Sequence, residues 1–217
     1  MFKYCLMVLL AIVPGILWAE DDDAAFRRQA DSYMVWDEVR YFPDGTLDAS
    51  DARIVSYFLH EMEEPVLTKL AARGEEVFVR LTVIPTGGPV FVFRAEQGSE
   101  GISVSRKVGH SPNREVLQVE DIDLRKVMIG QDRFGTIVNA ASALDPCMFD
   151  LPAIGFDGAN WVVEIIREGR YCALREWSPR TQAWLALGEA FRAALPEEEA
   201  GVAAMMEAWR LRRPGQE

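Results

Sequence analysis

Four side chains within residues 155–179 have the types and spacing to recognise a polar ligand: Glu164, Tyr171, Arg175 and Trp177. A carboxylate and a guanidinium hold opposite charges through directional hydrogen bonds, a phenol adds a donor, and an indole offers a flat apolar wall. Asp157, just ahead of them, belongs to the same polar set. Other chemistries have thinner support. His60-Glu61-Met62-Glu63-Glu64 opens like a zinc-binding helix, but Glu64 stands where the second histidine belongs. That run reads as a solvated helix face. The other histidine, His110, sits in a turn-forming run with no ligand pattern around it. Asp44, Thr46, Asp48 and Ser50 alternate as in a calcium loop, yet the sixth place is Ala49 and the twelfth Val55, so the loop is rejected. No serine elbow, phosphate loop or dinucleotide fingerprint occurs. No catalytic residue, metal ligand or cofactor is therefore assigned.

The four side chains need a rigid carrier, and the local pattern supplies one. Two alternating runs flank Glu168-Gly169, which predicts two strands joined by a two-residue turn. Such a turn sets Ile165 opposite Cys172, Val163 opposite Leu174 and Trp161 opposite Glu176. That face is apolar and is expected to point into the core. The other face carries Glu164, Tyr171 and Arg175, with Glu164 and Arg175 as diagonal neighbours within reach of an ion pair. An exposed pair of this kind adds only about 0–1 kcal/mol.

Around the hairpin, a short helix is expected over 24–33. Asp51 and the recurrence of Ile54, Phe58 and Met62 predict a second helix from Ser50, which is read as its N-cap. Glu64-Pro65 restarts that run, which ends near Gly74. Alternation then predicts strands over 77–84, 90–93, 102–108 and 116–128, separated by short glycine- and proline-bearing turns. Further helices are expected over 133–144, from Arg180, and from Glu197. The expected fold is α+β: an antiparallel meander of about five to seven strands packed by three to four helices.

The start of the chain reads as an address. Lys3, an apolar run interrupted by Pro14-Gly15, and a small residue at Ala19 make the pattern of a secretory signal over 1–19. The run is shorter than the ~20 residues a spanning helix needs. The organisation expected is a signal over 1–19, an extension over 20–49 and one α+β domain over 50–217. Removal of the signal would leave no membrane span and a periplasmic or secreted protein. It would also leave two of the three cysteines, Cys147 and Cys172. In an oxidising compartment they are candidates for a disulfide, the alternative being two buried thiols. Without Lys3 the chain carries 22 Lys+Arg against 34 Asp+Glu, a formal charge of −12. That balance disfavours nucleic acid and suits a basic protein of the envelope or medium.

Several motifs make the chain similar to a widespread, uncharacterised exported bacterial family. Asp157-Gly158-Ala159-Asn160-Trp161-Val162-Val163-Glu164 matches that family's D-G-x-x-W-x-x-E segment. Gly169-Arg170-Tyr171 and Arg175-Glu176-Trp177-Ser178-Pro179 match its G-x-Y and R-x-W-S-P segments. Glu64-Pro65 and the strand ending in Leu81-Thr82-Val83-Ile84-Pro85 also follow its order. The likeness covers about two thirds of the chain beyond the signal and leaves out the residues before Ser50. Family members usually carry histidine where this chain has Cys172, and an aromatic-rich segment around Cys147. Both cysteines thus stand off the pattern, which strengthens the disulfide reading. The resemblance implies architecture and export, and it implies no activity. The function expected is an exported, non-enzymatic protein-binding module of inhibitor or immunity type. The alternative is a hydrolase using paired carboxylates on cell-wall or glycan substrates.

Overall fold

A computed structural model describes residues 41–74, 77–86, 88–110, 121–147 and 158–196. All of them belong to one compact unit, Trp36–Glu217. The expected signal, the helix over 24–33, the helix from Glu197 and the strand start at 116–120 lie outside the described residues, as do Asp157 and residues 148–156.

Helix α1 (Ala49–Glu61) is capped by Asp48, whose side chain accepts from the Ser50 amide at 2.9 Å. The cap is therefore Asp48 and not Ser50, because the aspartate also takes the Ser50 hydroxyl at 2.8 Å. A short helix, α2 (Leu67–Ala71), follows Glu64-Pro65. Four strands come next: β1 (Val77–Pro85), β2 (Val90–Gly98), β3 (Gly101–His110) and β4 (Asp121–Met128). Helix α3 (Gln131–Ser142), the hairpin β5 (Ala159–Arg167) and β6 (Arg170–Trp177), and helix α4 (Gln182–Ala194) complete the described elements.

The strands form one antiparallel six-stranded sheet in the order β4-β3-β2-β1-β5-β6. The fold is α+β, as expected. Strands β1 to β4 are the meander, and the β5-β6 hairpin is laid against the other side of β1. Its register is the expected one, with Ile165 opposite Cys172 and Trp161 opposite Glu176. Glu168 and Gly169 both have positive φ, 54° and 71°, the backbone that a two-residue hairpin loop requires.

Helices cover both faces of the sheet, which is why the central strands read as continuous apolar runs. On one face Val79, Leu81, Phe93, Trp161 and Val163 pack with Phe134 and Ile137 of α3 and with Trp184, Leu187 and Phe191 of α4. Trp161 and Trp184 meet edge to face, with centroids 6.2 Å apart. On the other face Val55, Phe58 and Leu59 of α1 pack on Val90, Val92, Val162 and Ala173. Leu67 of α2 fills the space over Phe78 and Ile166. A disulfide joins Cys147, beyond α3, to Cys172 on β6, as expected. Among the described residues no helix is long and apolar enough to cross a membrane.

Candidate functional site

The α1 side of the sheet holds a set of charges where burial alone would call for apolar residues. Laying β5 beside β1 puts Glu164 directly opposite Arg80, and β2 puts Arg94 on the other side of Arg80. Arg80 and Glu164 are both 0% exposed. The guanidinium donates twice to the carboxylate, from Nε to Oε2 at 2.6 Å and from Nη2 to Oε1 at 2.7 Å. This fork-to-fork geometry is the strongest form of such a pair. The remaining nitrogen, Nη1, donates to the Pro65 carbonyl at 2.8 Å. Tyr171 donates its hydroxyl to Glu164 Oε1 at 2.9 Å, so both oxygens of the carboxylate are engaged.

A second carboxylate, Glu64, gathers three cations from three strands. Its oxygens lie 3.6 Å from Arg80 Nη1, 3.3 Å from Arg94 Nη1 and 3.0 Å from Lys107 Nζ. Lys107 also donates to the carbonyls of Met62 and Glu63, and Tyr41 donates to that of Glu64 at 2.8 Å. The α1–α2 connection is thereby pinned to β1, β2 and β3 through its backbone as well as its charge. Arg94 is further matched by Glu96 at 3.2 Å. Burial favours the uncharged phenol at both tyrosines. It pushes Tyr41 up to about 12 and, together with the neighbouring Glu164 charge, holds Tyr171 well above its ordinary value. Burial works against the Arg80 charge, yet Glu164, Glu64 and Tyr171 together outweigh it and raise the Arg80 value.

The four residues read from the sequence as a recognition patch are brought together only in part. Glu164 pairs with Arg80, not with Arg175 as the hairpin alone suggests. The long-range β1–β5 pairing offers a nearer and better-aligned guanidinium. Arg175, 7% exposed, instead donates to the Asn160 side chain and lies 3.1 Å from Asp51 of α1. Its guanidinium stands over the Trp177 ring, 6.0 Å from the centroid, so those two do meet. Tyr171 and Trp177 are half-buried. With α1 over it, this face presents neither the Glu164 carboxylate nor the Arg175 guanidinium broadly to solvent.

Glycine and serine of the motif also have a structural task. Gly158 has φ +151°, and a Cβ there would stand 1.9 Å from Ser178 Oγ. Ser178 in turn accepts from the Ala159 amide at 3.0 Å through its side chain and donates its own amide to the Ala159 carbonyl at 2.8 Å. The Gly158 carbonyl accepts from Thr86. The open end of the hairpin is thus closed by Gly158 seated under Ser178. Gly158→Ala is expected to cost about 2 kcal/mol in urea melts, from the strained backbone and the displaced serine. Ser178→Ala/Gly158→Ala, which removes the clashing oxygen, would then recover part of that loss.

The chemistry open to the Arg80–Glu164 pair is limited by its own completeness. A carboxylate held by two guanidinium hydrogen bonds and a phenol has no free oxygen with which to move a proton. Among the described residues no group of three or more His, Cys, Asp and Glu could hold a metal ion. His60 lies on α1, and the buried Glu64 faces the cations instead of completing a ligand pair with it.

One feature outside the cluster has the character of a contact surface. The exposed large apolar side chains of the described residues are Ile122, Leu124 and Met128, at 38%, 53% and 60% exposure. All three lie on β4, at the sheet edge, and alternation puts them on one face. The sequence pattern places this strand, and its alternating charges suggest one solvated face, but only the strand order shows that the apolar face is exposed as well. No protein-family model matches the chain, and no curated protein matches it significantly.

Proposed function

We propose that this chain is an exported, non-enzymatic protein-binding module of inhibitor or immunity type, with β4 as its docking strand. The observation that carries the reading is the strip Ile122, Leu124 and Met128. Exposed apolar side chains confined to one face of one edge strand mark a place where another protein binds. The main-chain groups of an edge strand supply affinity, and the side chains of one face supply selectivity. The Cys147–Cys172 disulfide supports an oxidising compartment, and the acidic balance of the chain suits a basic partner.

The rival reading, a hydrolase of cell-wall or glycan substrates, needs two acids facing a cleft. The acids gathered by this fold, Glu64 and Glu164, are buried against Arg80. No observation among the described residues favours that reading.

The test is capture from an envelope extract by the immobilised wild-type chain and by a Leu124→Ser/Met128→Ser variant. A basic protein retained by the wild type, released by high salt and missed by a variant that melts normally is the expected result. Capture that ignores the β4 substitutions, or no retained protein, would overturn the proposal.

A further inference from the structure

We infer that the β4 edge takes a second copy of this chain, forming a two-fold dimer with Leu124 on the axis and one sheet continued across both copies. The inference rests on the reading of β4 as a docking strand and names its occupant in the free chain, a second copy that gives way when the basic partner takes the same edge.

The direction of the backbone groups comes first. Ile129 donates its amide to the Ile102 carbonyl at 3.0 Å, and the β3–β4 register continues from Ser103 opposite Met128 without a break. In an antiparallel ladder these groups alternate between the two sides. The odd-numbered residues of β4 therefore bond to β3, and Ile122, Leu124, Lys126 and Met128 turn their N–H and C=O groups to the open edge. Three of these four residues make up the exposed apolar strip. Main-chain donors and apolar side chains are presented together.

Charge then selects the occupant and the register. A two-fold axis perpendicular to the sheet keeps both copies the same way up, so each residue faces one of its own parity. With Leu124 on the axis, Asp123 of each copy stands opposite Arg125 of the other. Within one copy Asp123 already meets Arg106 at 2.6 Å and Arg125 at 3.4 Å, yet the Asp123 and Arg125 side chains remain 46% and 62% exposed, so each can also be reached from across the edge. Shifting the axis to Arg125 would set two guanidinium groups face to face, and shifting it to Asp123 would set two carboxylates so. Opposite charges across a strand pair stabilise it and like charges do the reverse. The Leu124 register alone among these three satisfies both sites. On the apolar face it places the two Leu124 side chains together, with Ile122 of each copy diagonal to them.

Lysine on an edge strand usually guards it against pairing. Here the Lys126 ammonium is drawn back onto Glu96 of β2, at 3.0 Å, which leaves its aliphatic stem opposite Ile122 of the other copy. The guard on this edge is tied down.

The experiment has two arms, both on the full chain with its disulfide intact. Molar mass is followed by sedimentation against concentration for the wild type and for Arg125→Asp, which sets carboxylates opposite one another. The expected result is a concentration-dependent dimer whose dissociation constant rises about tenfold or more in the variant. In the second arm Leu124→Cys and Met128→Cys chains are mildly oxidised, with the wild type as the control for Cys5. Opposed residues of a hydrogen-bonded pair lie about 5.5 Å apart at Cα, within disulfide reach. Leu124→Cys should cross-link to a dimer and Met128→Cys should not. A monomer at every concentration, a dimer indifferent to Arg125→Asp, or cross-linking at residue 128 in place of 124 would overturn the inference. Its failure is separable from that of the proposed function. A monomer whose β4 still governs partner capture sinks the dimer alone. A wild type that dimerises as stated, and whose uncross-linked chain captures no partner, sinks the module reading alone.

Discussion

Glu164→Gln is expected to destabilise the chain by about 3–5 kcal/mol, a large share of the margin that keeps a domain of this size folded. The amide cannot neutralise Arg80, whose guanidinium is fully buried between β2 and β5 and would keep as countercharge only Glu64, 3.6 Å away and shared with Arg94 and Lys107. Tyr171 would at the same time lose the charged acceptor of its buried hydroxyl. Arg80→Met should cost a similar amount for the mirror reason, leaving the Glu164 carboxylate stranded. Replacing both, as Arg80→Met/Glu164→Leu, should recover most of the loss, because a matched apolar pair has no desolvation to overcome. Urea melts of the two single variants and the double variant check this directly. Two single losses that simply add in the double would show that the fork-to-fork pair is not the source of the effect.

Reduction of the Cys147–Cys172 disulfide is expected to remove about 3 kcal/mol, the chain-entropy value for a closed loop of this length. The two cysteines are 25 residues apart in sequence, and the bond ties the chain beyond α3 to β6, an edge strand. Without it β6 is held by β5 and by packing alone. Cys147→Ala/Cys172→Ala should melt at the same urea concentration as the reduced wild type, and reductant should not shift it further. A wild type whose melting ignores reductant would mean that the fold holds β6 in place unaided.

Much of the hairpin is legible in the amino-acid sequence. Glu168-Gly169 admits one tight turn, and a two-residue loop leaves one register, so the inward face of Trp161, Val163 and Ile165 follows from counting. The disulfide is legible because only two of the three cysteines, Cys147 and Cys172, lie beyond the N-terminal run that reads as a signal. The partner of Glu164 is not. It sits 84 residues away in Arg80, on a strand whose adjacency to β5 no local pattern encodes. A signal is nevertheless present. Residues 77–85 and 159–167 are apolar runs with one charge near the middle, positive in the first and negative in the second. A strand covered on both faces can carry such a charge only if an opposite one meets it. Two runs of that kind in one chain identify each other. Glu64 is harder to find, because it serves as a helix-start residue locally and its three cations come from three different strands.

Residues 158–179, which the sequence presents as a motif, take a different meaning from their positions. Gly158 closes the hairpin under Ser178, Trp161 packs on Trp184, Glu164 neutralises Arg80, and Tyr171 donates to Glu164. A motif of this kind specifies how the sheet closes, so chains can share it and still differ in what they bind.

Placing the β5-β6 hairpin beside β1 also sets a schedule. A chain that emerges from its amino end presents β1 long before β5, so a central strand of the finished sheet is first an edge, with Arg80 along it. Helix α1 and the meander can gather, but until residue 164 arrives Arg80 has only a share of Glu64, 3.6 Å away and divided with Arg94 and Lys107, and lacks its doubly hydrogen-bonded carboxylate. Any chain that stops short of β5 keeps β1 as an open edge, with Arg80 lacking its two-hydrogen-bond partner there, a species open to aggregation and to proteases. Completion of the sheet is therefore reported by one late ion pair, formed only when the last hairpin has docked.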